Sequence, residues 1–199
     1  MTTRLRNLAG CLLLAACWLA QCGAVELKVS REALERTLVQ QLFNGPNGRY
    51  YLKGNAQKAC STYAEDPKLT FLGDRILVRV RISARLGKAV GGTCLGVVLA
   101  PTTEVSLAPE GEGENIGFRD ARVEKGSDQR ELNFLLTPFL QRQVPSAMKV
   151  NAADVLRKAL AGSTVSTGYA LTLDKLRVHS MQIVGDALVV DVDGAVSVK

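Results

Sequence analysis

The chain predicts an α+β fold built on a long, curved antiparallel sheet. Three observations predict it. The stretch "RILVRVRISARL", Arg75 to Leu86, puts Ile76, Val78, Val80, Ile82, Ala84 and Leu86 on one parity and Arg75, Arg79, Arg81, Ser83 and Arg85 on the other; a period of two means a strand with one apolar face. The order of patterns is helix, several strands, two helices, then a hairpin, without the βαβ alternation of a parallel sheet. Several strand patterns also exceed the usual five or six residues, and strands that long need curvature to stay around one core.

Taken in order, "VSREALERTLVQQLFNG" reads as a helix. Ser30 is a candidate N-cap and Glu32 and Glu35 suit the first turn. Leu34, Leu38 and Leu42 form an apolar stripe at i, i+4 and i+8, and Gly45-Pro46 ends the helix. Residues 44–56 are loop-like in composition. "ACSTYAE" and "KLTFL" read as strands leading to a Gly73-Asp74 turn and the arginine-bearing strand. "TCLGVVLA" and "TTEVSL" read as one long strand bent at Pro101. "EGEGEN" is a turn, and "IGFRDARVEK" a strand whose parity slips near Asp120, as at a bulge. Near residue 130 the period changes. "RELNFLLTPFLQRQV" predicts a helix over about 131–144, interrupted at Pro138. Asn151 and Asp154 open a capped helix over about 151–161 that ends at Gly162. Gly185-Asp186 separates two alternating runs, a hairpin signal.

The N-terminus points to export. Arg4 and Arg6 precede the apolar run "LAGCLLLAACWLA", and small residues follow, which is the order of a secretory signal peptide; the run falls short of the about 20 residues a membrane-spanning helix needs. A cut after Ala24 makes 1–24 the leader and 25–199 one domain in the periplasm. It removes Cys11, Cys17 and Cys22 and leaves an even pair, Cys60 and Cys94, expected to join as a disulfide in an oxidising compartment. The alternative is a lipoprotein leader over 1–16: "LAAC" places Cys17 as a lipidated, membrane-anchored N-terminus. The formal net charge of +6 falls further when Arg4 and Arg6 leave with the leader. A balance that mild does not require a polyanionic partner.

Motifs for chemistry are weak. "GTCLG", Gly92 to Gly96, has the spacing of a nucleophile elbow, but its flanks read as strand rather than strand–turn–helix. His179 is the only histidine and shares parity with Lys175 and Arg177, so an exposed, non-catalytic side chain is expected. One histidine and no C-x-x-C leave little for zinc. Asp191 and Asp193 lack the oxygen-rich run of a calcium loop, and Glu110, Glu112 and Glu114 sit in a glycine-rich turn. No metal, no cofactor and no catalytic residue is expected. Nucleic acid is excluded by the modest charge and scarce aromatics. The arginine face then has two readings: a solvated sheet face, or the outside of a lipid-holding sheet whose outer face or rim meets anionic head groups.

The exported N-terminus, "VSREALERTLVQQLF", "KLTFLGDRILVRVRISARL", "LNFLLTPFLQRQVP" and "LRVHSMQIVGDALVVDVDG" together resemble, in element order over most of 25–199, the YceB-like bacterial envelope lipoproteins of the tubular lipid-binding (TULIP) superfamily. The resemblance implies a strongly curved antiparallel sheet wrapped around a helix with an apolar tunnel between them, and a lipid or other apolar small molecule as ligand. Many such relatives are lipoproteins, which bears on Cys17. Candidate tunnel-lining residues are Leu34, Leu38, Leu42, Val78, Val80, Ile82, Phe134, Leu135, Phe139 and Leu140, although for any one of them ordinary core is the default reading. The expected function is a non-catalytic periplasmic lipid-binding protein. The alternatives are an envelope adaptor that binds another protein and, at lower weight, a hydrolase.

Overall fold

A computed structural model describes residues 25–162 and 168–198. The leader over 1–24, with Arg4, Arg6 and Cys17, lies outside them. Within the described residues a curled antiparallel half-barrel is accompanied by three helical segments.

Strand β1 (Val25–Ser30) leads into helix α1 (Arg31–Leu42). Ser30 caps it, its Oγ accepting a hydrogen bond from the Ala33 amide at 3.2 Å, and Leu34, Leu38 and Leu42 are buried as the stripe requires. The segment 44–56, loop-like by composition, contains a short strand, β2 (Tyr50–Lys53). Strand β3 (Thr62–Leu72) runs unbroken through the two expected strand segments. Its register shifts between Glu65 and Lys68, where Asp66 adopts a left-handed φ of 51°. That bulge bends the strand and adds twist.

Strand β4 (Arg75–Val90) spans 16 residues. Its chain-following partners, β5 (Thr93–Leu99) and β6 (Thr102–Glu112), both pair with it, β5 along residues 84–90 and β6 along 76–81. The two are thus one path interrupted at Pro101, whose carbonyl still accepts from the Ile82 amide at 2.9 Å. Strand β7 (Asn115–Lys125) pairs with β6 and slips where Asp120 sits at φ 51°, the parity slip seen in the sequence.

Helix α2 occupies residues 130–148. It is α-helical over Arg130–Pro138, π-helical over Phe139–Gln143 and α-helical again over Val144–Met148. Pro138 lacks an amide donor, and the backbone widens into the π form immediately after it. A two-residue strand, β8 (Val150–Asn151), precedes helix α3 (Ala152–Ala161), where Asn151 Oδ1 accepts from the Asp154 amide at 2.8 Å. Strands β9 (Leu171–Val184) and β10 (Ala187–Val198) form the closing hairpin.

Two sheets result. One has the order β1-β10-β9, and the other β2-β3-β4-β6-β7-β8 with β5 added beside β4. They meet where the Val178 amide donates to the Gly113 carbonyl at 2.8 Å. The core lies between the concave sheet and the helices: Ile76, Val78, Val80, Ile82 and Ala84 are fully buried with Leu38, Leu132, Leu140 and Met148. Glu35 fastens α1 to the sheet by accepting from the Leu69 amide at 3.1 Å and from Lys68 Nζ at 3.0 Å.

Three of the four arginines on the outer face of β4 have carboxylate partners. Arg79 meets Glu104 at 2.7 Å, Arg81 meets Glu65 at 3.2 Å and also Asp66, and Arg75 meets Asp120 at 3.0 Å. Neighbouring strands thus supply a carboxylate for each of these three arginines. The exposed pairs of Arg79 and Arg81 are worth only about 0–1 kcal/mol each, but with Arg75 they leave little unbalanced positive charge along residues 75–81.

Beyond the core the β4–β5 hairpin continues as a two-stranded ribbon, tied to the neighbouring segment by the Cys60–Cys94 disulfide. Gly87 and Gly96 face each other in its register. A Cβ on Gly87 would stand 2.0 Å from the Leu95 carbonyl oxygen, and one on Gly96 2.0 Å from that of Leu86, so only hydrogen fits at either position.

Candidate functional site

A cleft of about 820 Å³ opens between β2 and α2, lined by Tyr50 and Leu52 on one side and by Arg130, Asn133, Phe134, Leu135, Thr137, Pro138, Phe139, Arg142 and Gln143 on the other. Its size is within the range of small-molecule sites, about 300–1,000 Å³. Phe139 anchors the floor. It is buried, stacks on Tyr50 with ring centroids 5.1 Å apart, and meets Phe43 edge-on at 6.5 Å.

Helix α2 fixes the wall. Leu132, Leu136, Phe139 and Leu140 hold its inner stripe in the core. Phe134 lies off that stripe and is 81% exposed. The Asn133 side chain is committed to the preceding loop: its Oδ1 accepts from the Ser127 amide at 2.7 Å, and its Nδ2 donates to the Ser127 carbonyl. Arg130 and Arg142 are exposed at the margin of the cleft, and neither has an ion-pair partner among the described residues. The site therefore offers an aromatic and aliphatic surface with two cations beside it. That suits an amphiphile with an apolar body and an anionic end.

The ten candidate tunnel residues divide. Phe134, Leu135 and Phe139 line the cleft. Leu34, Leu38, Leu42, Val78, Val80, Ile82 and Leu140 sit in the packed core cluster, at 0–7% exposure. The cleft also uses Tyr50, Leu52, Arg130 and Arg142, which sequence reasoning did not single out. The position of Phe134 off the apolar stripe of its own helix is the one signal that could have pointed there.

Cys60 and Cys94 are joined, with sulfurs 2.05 Å apart, so Cys94 carries no free thiolate. His179 is 67% exposed, its Nδ1 3.8 Å from Asp193 Oδ2. No cluster of three or more metal-ligating side chains occurs among the described residues, and no helix among them is long and apolar enough to cross a membrane.

No family model matches the chain, and no curated protein matches it. Among solved structures, the crystal structure of a lipopolysaccharide binding protein is similar over 88% of this chain and 51% of that one, at 12% identity and a TM-score of 0.35. The chain thus spans about half the length of that neighbour.

Proposed function

We propose that this protein is a non-catalytic carrier or receptor for a lipid or similar apolar small molecule, held in the β2–α2 cleft. The observation that carries the reading is Phe134, a phenylalanine left 81% exposed on the wall of a cleft of about 820 Å³ that Leu52 and Tyr50 also line. An aromatic side chain has on the order of 150–250 Å² to bury, and a ligand that covers it recovers that hydrophobic contribution. Arg130 and Arg142 would face the anionic end of an amphiphile. The leader pattern of the N-terminus supports a periplasmic location for such a protein, free or anchored through Cys17.

Uptake of a fluorescent fatty acid, followed with melting temperature, tests the proposal. The wild type should bind. Phe134→Asp should lose most uptake while melting like the wild type, because position 134 is exposed and leaves the core untouched. A wild type that takes up no apolar probe, or a Phe134→Asp variant that binds equally well, would overturn the reading. An envelope adaptor is the second reading, favoured by the outer edge of β5, which pairs only with β4 among the described residues and could accept a partner's strand. It predicts a stable co-purifying protein and no ligand by native mass spectrometry.

A further inference from the structure

The β4–β5 ribbon differs from the rest of the sheet in two respects. The first is apolar exposure. Its register pairs Leu86 with Val97, Lys88 with Leu95 and Val90 with Thr93, on the face that carries Ile82 and Ala84 into the core. The core ends but the apolar pattern does not: Leu95, Val97 and Val90 are 59%, 58% and 50% exposed. The opposite face carries Val98, 69% exposed, beside Arg85.

The second is charge. Arg75, Arg79 and Arg81 all have carboxylate partners, and the pairing stops there. Residues 50–64 and 75–103 contain no aspartate or glutamate. Arg85 and Lys88 on the ribbon, with Lys53 at the end of β2 and Lys58 on the following loop that the Cys60–Cys94 disulfide ties to it, are exposed. None of these four has an acidic partner among the described residues.

We propose that this disulfide-tied ribbon is a docking element for an anionic lipid surface. Exposed apolar side chains on both faces of the ribbon suit insertion into an interface that surrounds its tip, whereas a protein groove would cover one face. Four uncompensated cations complement anionic head groups, whose attraction falls off within a Debye length. The inference concerns a surface distinct from the cleft and does not depend on what the cleft holds.

Co-sedimentation of the full chain with vesicles is the test, comparing equimolar phosphatidylglycerol–phosphatidylcholine with phosphatidylcholine alone. The wild type should sediment with the anionic vesicles, less so in 0.5 M salt, and not with the neutral ones. Lys58→Glu/Lys88→Glu should weaken this at least about tenfold, since each basic group near such a surface contributes appreciably. Leu95→Ser/Val97→Ser should weaken it comparably; all four positions are exposed, so melting should not change. Phe134→Asp should dock normally, which separates failure of this inference from failure of the cleft. Leu95→Trp should show a blue-shifted emission on anionic vesicles only, read as the difference from the wild type. Vesicle binding that is absent from the wild type, or unaltered in both double variants, overturns the proposal. So does retention of binding by Leu95→Ser/Val97→Ser together with full competition by polyglutamate, which would mark an acidic protein as the partner.

Discussion

Replacing Arg75 by methionine keeps an unbranched apolar stem and removes the guanidinium. In the fold Arg75 sits at the start of β4 with its side chain only 17% exposed. Its Nε donates to Ser106 Oγ at 2.9 Å, one Nη to the Ser106 carbonyl at 3.1 Å, and the other to Asp120 Oδ2 at 3.0 Å, with a further bond to the Asp120 carbonyl. Ser106, itself 3% exposed, donates a hydrogen bond from its hydroxyl to Glu124 Oε1. Arg75 therefore ties β4 to β6 and holds the left-handed bulge of β7 in place. Hydrogen bonds to charged groups contribute about 1.5–3 kcal/mol each. The two to Ser106 share one guanidinium and do not add fully, so we expect a loss of about 2–3 kcal/mol. For a domain of this size that is a melting decrease of about 5–10 °C, measurable by circular dichroism. Arg75→Lys should recover only part of it, because an ammonium cannot reproduce the planar fork. A decrease below about 2 °C, or full recovery with lysine, would refute the role assigned to Arg75.

Three further outcomes are expected. Asp120 is held below the ordinary carboxylate value, first by the hydrogen bond from Arg122 and then by Arg75. A carboxyl lowered in the folded state contributes stability above its unfolded value and loses it as pH falls through the folded one. The melting difference between wild type and Asp120→Asn should therefore be full near pH 6 and shrink below about pH 4. Thiol labelling of the denatured protein without reductant should modify neither Cys60 nor Cys94; Cys60→Ser/Cys94→Ser should lose up to about 4 kcal/mol in the chain-entropy model for a separation of 34 residues, and labelling of both cysteines in the wild type would contradict the bond. Leu38→Trp and Val80→Trp, both at positions with 0% exposure, should each cost about 1–3 kcal/mol or more and melt earlier; unchanged melting with lost fatty-acid uptake would instead reveal an open channel at those positions.

What the sequence made legible follows from the range of its signals. The alternation of β4 is local and binary, so its buried parity could be read directly, as could the caps at Ser30 and Asn151 and the turns at Gly73 and Gly185. Strand β2 was hidden because Tyr50–Lys53 is short and flanked by glycine and asparagine, so composition favoured a loop until β3 paired with it. The break at Pro138 was visible, but its π-helical form was not, since that depends on how the flanking turns pack. The acid partners of the arginine face come from four other strand positions, Glu65, Asp66, Glu104 and Asp120, which only register brings together. The cleft was the least legible feature. A run of apolar residues gives the same pattern whether neighbours fill the space beside it or leave it open, so Leu38 and Phe134 looked alike as candidates although one is core and the other is exposed.

The contact of Gly87 with Gly96 has a consequence for how such a chain can diverge. Alanine at either position would force the two backbones apart and free the outer half of the ribbon, Lys88 to Leu95, from the inner half. Around that crossing Val90, Leu95 and Val97 face outward and can exchange with other apolar residues at little cost to folding. Divergence should therefore be uneven along the ribbon, with two sites frozen together amid freely drifting neighbours. A lineage that no longer used the ribbon would be released from both glycines at once, so the pair would persist or vanish as a unit.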